Sequence, residues 1–175
     1  MRVVAGELGG RRLVSPEGRA TRPTTERVRE AVFNSLGSAD VIDGAEFLDL
    51  WAGTGALGIE ALSRGASRCT FVERDRGAAA VLRDNLRTLG LEGRSRVVVG
   101  DAIAAAATPA DVVLADPPYG EEPWSELLTA VRADIVVIEG NAAVGVPDWE
   151  QWRARRYGRT WVTFLRRMTA TPEAM

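Results

Sequence analysis

Five short apolar runs punctuate the middle of the chain: Glu46–Leu50, Cys69–Glu73, Ser95–Val99, Asp111–Ala115 and Asp134–Ile138. Between them the apolar positions recur at helical spacing, over Leu57–Arg64, Gly77–Leu89, a short stretch near Ala102–Ala107 and Trp124–Arg132. Strand-like runs that alternate with helical stretches, at intervals of roughly 15–30 residues, predict an α/β fold with a parallel sheet and crossover helices. The flanks read differently. Val3-Val4 and Arg12-Leu13-Val14 surround Glu7-Leu8-Gly9-Gly10, a pattern that suits a hairpin. Thr25–Leu36 places Val28, Ala31, Val32, Ser35 and Leu36 on one helical face, with Arg27, Glu30 and Asn34 on another and Gly37 close to the end. Near the other end, Trp152–Tyr157 and Thr160–Arg166 are strand candidates joined through Gly158, a late hairpin that would close the sheet. Residues 1–40 thus form an extension on a core of residues 41–175, in one folding unit.

With 175 residues, 46% of them apolar, the chain is long enough for one self-sufficient core. What it lacks narrows the chemistry further. There is no histidine, and all 22 basic residues are arginine. A Ser-His-Asp or Cys-His hydrolase has no base here, a histidine zinc site has no ligands, and a Walker loop or Schiff-base enzyme has no lysine. One cysteine, Cys69, permits no internal disulfide, and no membrane span or signal peptide is legible, so we expect a soluble protein of the cytoplasm without a metal. Charge is uneven: residues 1–40 carry seven arginines against five acids (+2), residues 41–150 nine against eighteen (−9), and residues 151–175 six against one (+5). Two arginine-rich ends brought together would form a local phosphate-binding surface around an acidic centre.

In an open α/β sheet, ligands bind beyond the carboxyl ends of the strands. The first run leads into Asp49-Leu50-Trp51-Ala52-Gly53-Thr54-Gly55-Ala56-Leu57-Gly58, a G-x-G-x-x-G between strand and helix, whose glycines allow a tight turn and close approach to a ligand. Glu73 closes the second run, where a carboxylate can accept both ribose hydroxyl protons, and Asp101, after the third, is placed to accept from an adenine amine. Asp49 either fixes the turn or touches ligand. Such a lining suits a cofactor with positive charge and no phosphate. Directly after the fourth run comes Asp116-Pro117-Pro118-Tyr119. Two prolines hold an extended path and offer carbonyls as pure acceptors beside the Asp116 carboxylate, an arrangement that receives two N–H groups from one planar amine. The Tyr119 ring offers a face on which a flat base can stack.

Together these features resemble the Rossmann-like, class I S-adenosylmethionine-dependent methyltransferases that modify exocyclic amines. The likeness extends to Arg2-Val3-Val4-Ala5-Gly6, Gly10-Arg11-Arg12-Leu13, Arg22-Pro23-Thr24-Thr25-Glu26-Arg27-Val28-Arg29-Glu30 and the closing Tyr157-Gly158, which with the glycine loop are similar to the bacterial RsmD family. Trp51 stands where that family more often has phenylalanine. The resemblance implies methylation of the exocyclic amine of one guanine in 16S ribosomal RNA, free or within the small subunit, by a monomer using S-adenosylmethionine. It implies cofactor contacts from Asp49, Ala52, Gly53, Thr54, Gly55, Glu73, Asp101 and Ala102, and catalysis by Asp116, Pro117, Pro118 and Tyr119. RNA phosphates are expected on Arg2, Arg11, Arg12, Arg22 and Arg27. Rival readings are adenine amino methylation in DNA or RNA, a nicotinamide oxidoreductase, which would want a lysine, and an inactive cofactor-binding scaffold.

Overall fold

A computed structural model of the chain describes residues 1–15, 26–118 and 120–168. The elements in chain order are α1 (Glu26–Ser38), β1 (Glu46–Leu50), α2 (Ala56–Ser63), β2 (Arg68–Glu73), α3 (Arg76–Thr88), β3 (Ser95–Val99), α4 (Ala102–Ala105), β4 (Val112–Ala115), α5 (Trp124–Ala130), β5 (Ile135–Gly140), β6 (Trp149–Tyr157) and β7 (Thr160–Arg167). They build one seven-stranded sheet in the order β3-β2-β1-β4-β5-β7-β6. The first five strands run parallel, and β7 pairs antiparallel with both β5 and β6.

The parallel strands are apolar on both faces because helices cover both. Phe47, Phe71, Val112, Leu114 and Val137 face Val32, Phe33 and Leu36 of α1, Ile59 and Leu62 of α2, and Leu82 and Leu86 of α3 in one core layer. Leu48, Leu50, Val72, Val113, Val136 and Ile138 meet Ala102 and Leu127 and Leu128, from α4 and α5, in the other. Adjacent residues of one strand thus serve opposite layers, as the period of two requires.

Of the boundaries that differ from the pattern in the sequence, three bear on the flanks of the site. The N-terminal hairpin has no regular strands: a single antiparallel bridge joins Arg2 to Arg12, supported by Val3 N–H to the Arg11 carbonyl at 2.9 Å and Leu13 N–H to the Met1 carbonyl at 2.9 Å. Its glycine-rich middle curls into successive turns, with Gly6 and Gly10 at φ of 83°, which leaves too little straight chain for a ladder. The helix after Asp101 stops at Ala105, before the alanine run ends. The strand β6 starts at Trp149, three residues earlier than its apolar pattern suggests, because Trp149 pairs opposite Arg167 and a bulge between Gln151 and Arg153 breaks the alternation.

Candidate active site

The order of the sheet reverses between β1 and β4, so the chain leaves these two neighbours in opposite directions and opens a crevice at their carboxyl ends. Leu50 pairs with Ala115, so the residues that follow, Trp51 and Asp116, start side by side. A cavity of 1020 Å³ opens there; its lining includes Asp49, Trp51, Ala52, Gly53, Thr54, Glu73, Asp116, Pro117 and Pro118. The sequence motifs at the ends of β1, β2 and β4 are therefore one site. Arg27 from α1 and Arg156 from the end of β6 border the same cavity, one arginine from each flank of the chain.

The glycine loop is held by its own acids. Trp51, Gly53 and Gly55 adopt φ of 57°, 55° and 86°, a left-handed path that glycine tolerates at two of the three positions. Glu73 receives Gly53 N–H at 2.8 Å and Asp75 N–H at 2.7 Å, one on each oxygen. Asp49, only 1% exposed, receives Gly58 N–H at 2.9 Å and so ties β1 to the first turn of α2. A side chain at Gly58 would put its Cβ 2.3 Å from Phe71, which sets how closely helix and sheet approach. Burial pushes the Asp49 carboxyl up to about 7; the Gly58 amide pulls the other way, and the neighbouring Asp116 and Glu73 charges raise it again. Asp49 thus fixes the turn, and it also lies on the lining of the cavity.

Crowded carboxylates test what the cavity can hold. A group carrying a sulfonium and an ammonium would relieve the repulsion among Asp49, Glu73 and Asp116, whereas a pyrophosphate would add to it, so the residues present fit S-adenosylmethionine. Cys69 is buried, and burial pushes its thiol well above the usual range, which leaves it inert as a nucleophile. Among the described residues no group of three or more His, Cys, Asp or Glu could hold a metal ion.

The remaining expected residues are distributed as follows. Asp101 caps α4, receiving Ala104 N–H at 2.8 Å; its side chain is exposed and does not border the cavity, while Ala102 is buried in the core. Arg2, Arg11 and Arg12 lie exposed on the N-terminal turn and are not part of the cavity wall, whereas Met1, next to Arg2, is. Tyr119 and Arg22 lie outside the described residues.

Sequence reasoning missed the side chains that fasten this turn to the core. Glu60, wholly buried in α2, receives Val4 N–H at 2.8 Å and Ala5 N–H at 3.0 Å, and pairs with Arg64 at 2.8 Å and buried Arg29 at 3.5 Å. Asn85 of α3, 3% exposed, accepts from Val14 N–H at 2.8 Å and donates to the Val14 carbonyl at 3.0 Å and the Thr54 carbonyl at 3.1 Å. One amide therefore joins the N-terminal segment to the glycine loop. A usable signal for Glu60 existed: Ala56–Ser63 is apolar on every side, and a helix without a solvent face must pair any acid it carries. The carboxyl end of β5, Glu139-Gly140-Asn141, and the turn at Tyr157-Gly158 complete the cavity wall and had not been expected there.

Fold and site together define a Rossmann-like methyltransferase. The family model described as Conserved hypothetical protein 95 matches residues 1–166, and the chain belongs to that family, the RsmD family. It is 38% identical over 173 residues to ribosomal RNA small subunit methyltransferase D of Escherichia coli K12, covering 91% of this chain and 86% of that one. The solved structure of yhhF from Escherichia coli, named for methyl transfer, superposes with a TM-score of 0.82 at 38% identity, covering 95% of this chain and 97% of that one. A conserved hypothetical protein of Streptococcus pyogenes superposes with a TM-score of 0.70 at 32% identity, over 81% of this chain and 96% of that one.

Proposed function

We propose that the enzyme transfers a methyl group from S-adenosylmethionine to the exocyclic N2 amine of a guanine in 16S ribosomal RNA, within the small subunit or an assembly intermediate. The observation that carries the reading is the adjacency of Asp116-Pro117-Pro118 to the glycine loop on one acidic cavity. The Escherichia coli relative is named as a small-subunit ribosomal RNA methyltransferase, which supports the substrate.

When bound, the cofactor supplies an electrophilic methyl on sulfur. Asp49, the Ala52–Gly55 loop and Glu73 would hold it. The guanine amine is a poor nucleophile because its lone pair is delocalised into the ring. The Asp116 carboxylate and the Pro117 carbonyl accept its two hydrogens, which favours rehybridisation and turns the lone pair toward the methyl. No strong base is needed: once alkylated, the nitrogen is acidic, and Asp116 or water takes the proton late. Much of the rate then comes from alignment, with Tyr119 fixing the base plane. A stacked guanine cannot reach such a cavity, so the substrate base lies in a loop or is flipped out, at a cost of a few kcal/mol. Arg2, Arg11, Arg12, Arg22 and Arg27 grip phosphates around it, from an N-terminal extension of residues 1–40 that folds with the core, in a cytoplasmic monomer.

The test is transfer of labelled methyl to ribosomal RNA, free and in subunits, followed by mapping of the modified nucleotide. Asp116→Ala should abolish turnover while leaving cofactor affinity largely intact, and Glu73→Ala should weaken cofactor binding first. The reverse pattern would mean that the two roles are misassigned, and label on adenine would replace the guanine reading.

A further inference from the structure

The β6–β7 hairpin carries six arginines, and the structure divides them into two sets of three. Arg153 donates to the Ser35 hydroxyl at 2.7 Å and so braces β6 against α1. Arg166 lies 5.0 Å from the Trp152 ring. Arg167 covers Trp149 at 4.4 Å and donates to the Val131 carbonyl at 2.7 Å and the Ala133 carbonyl at 3.3 Å. These three are spent on packing. Arg155, Arg156 and Arg159 are exposed, and among the described residues none of them meets a carboxylate. Arg156 only braces the turn, donating to the Gly158 carbonyl at 2.9 Å.

Topology decides where these three point of charge sit. Because β7 runs antiparallel to β5, with Gly140 opposite Trp161, the turn that precedes β7 lies at the carboxyl end of β5. That is the edge on which Asp116 and the glycine loop open, and Arg156, Tyr157, Gly158 and Thr160 border the cavity there. Arg27 enters the same cavity from α1, an element of the opposite chain end. A neutral or cationic ligand gains nothing from cations on the rim of an acidic hole, but a polyanion whose base enters the hole must rest its backbone on that rim.

We propose that Arg155, Arg156 and Arg159 form a second phosphate-gripping surface for the substrate RNA strand, at the cavity rim and separate from the N-terminal arginines. The inference rests on the reading of RNA as substrate and adds to it a site that the N-terminal arginines do not supply. Held at two places, the strand that carries the target base is fixed over the cavity mouth, which helps to keep that base out of its stack.

Salt-dependent binding of a 16S ribosomal RNA fragment tests this with the full chain. Each lost phosphate contact to a single strand lowers the slope of log affinity against log salt by about 0.7. Replacing Arg155, Arg156 and Arg159 together with glutamine should lower the slope by about 2 and weaken binding on the order of a hundredfold in 0.1 M salt. Affinity of Arg159→Gln for S-adenosylhomocysteine, measured by calorimetry, should stay unchanged. Arg159→Gln alone, at an exposed turn position, should lower the slope by about 0.7 and guards against misfolding of the triple variant. An unchanged slope in both variants, or an equal loss of S-adenosylhomocysteine affinity, overturns the inference. If Arg11→Ala with Arg12→Ala lowers the slope and the turn variants do not, only this inference fails. If the parent neither binds nor methylates ribosomal RNA, the proposed function fails and takes the inference with it.

Discussion

Glutamine in place of Glu60 is the sharpest single perturbation of this fold. The side chain is wholly buried and serves Val4 N–H, Ala5 N–H, Arg64 and Arg29, so glutamine keeps one acceptor oxygen and removes the charge. Arg29, also wholly buried, then loses its principal counter-ion; burial already draws its pKa down, and the Glu60 charge is the largest influence that holds it up, ahead of Glu26 and Glu139. At the 3.5 Å separation of the pair, Coulomb's law with an effective dielectric of about 20 gives an attraction of about 5 kcal/mol. Breaking buried pairs from one side costs about 3–5 kcal/mol, so the two routes agree. Against a total stability of about 5–15 kcal/mol, Glu60→Gln should be severely destabilising, with Tm lower by about 10 °C. Urea unfolding of Glu60→Gln, Arg29→Met and the double variant measures it. The double variant should be more stable than the sum of the two losses implies, by about 2 kcal/mol, since Arg29 Nε and Nη1 lack hydrogen-bond partners even in the parent. Additivity within about 0.5 kcal/mol would refute the pairing argument.

Other outcomes follow from the same geometry. The Asp49 carboxyl is raised from 3.8 to about 7, so its contribution to stability is complete below the unfolded value and declines until pH passes the folded one. Between about pH 5 and about pH 8 the parent should therefore lose about 3 kcal/mol relative to Asp49→Asn, and parallel urea profiles at the two pH values would contradict the raised pKa. Gly58→Ala forces a Cβ to within 2.3 Å of Phe71 and 2.6 Å of Cys69 and should cost about 1–3 kcal/mol in a thermal melt. Asn85→Leu removes three hydrogen bonds and should both accelerate amide exchange at Val14 and weaken binding of S-adenosylhomocysteine, since Thr54 loses its tether.

Strands buried on both faces announce themselves, and the five parallel strands begin and end within two residues of their apolar runs. The motifs of the cavity were equally legible, because the chemistry needs those residue types directly after a strand. What eluded the pattern was long-range pairing. Arg29 and Glu60 are charges in amphipathic or apolar helices, and nothing in the spacing of either helix says that the other will neutralise it across 31 positions of chain. Asn85 reads as a polar break in α3 until Val14 is folded against it, 71 positions away. Asp101 shows the converse limit: an acid after a strand can cap the next helix, and both needs select the same residue.

The nine residues of β6 form an outer margin of the sheet, paired only with β7. Unpaired amides and carbonyls along such a margin invite a second molecule to add its own strand, and natural proteins discourage this with charges and bulges. Arg155, Arg156 and the irregularity after Gln151 do so here. Neutralising the arginine turn should therefore cost solubility as well as affinity, and the altered protein should cluster at concentrations where its parent stays dispersed.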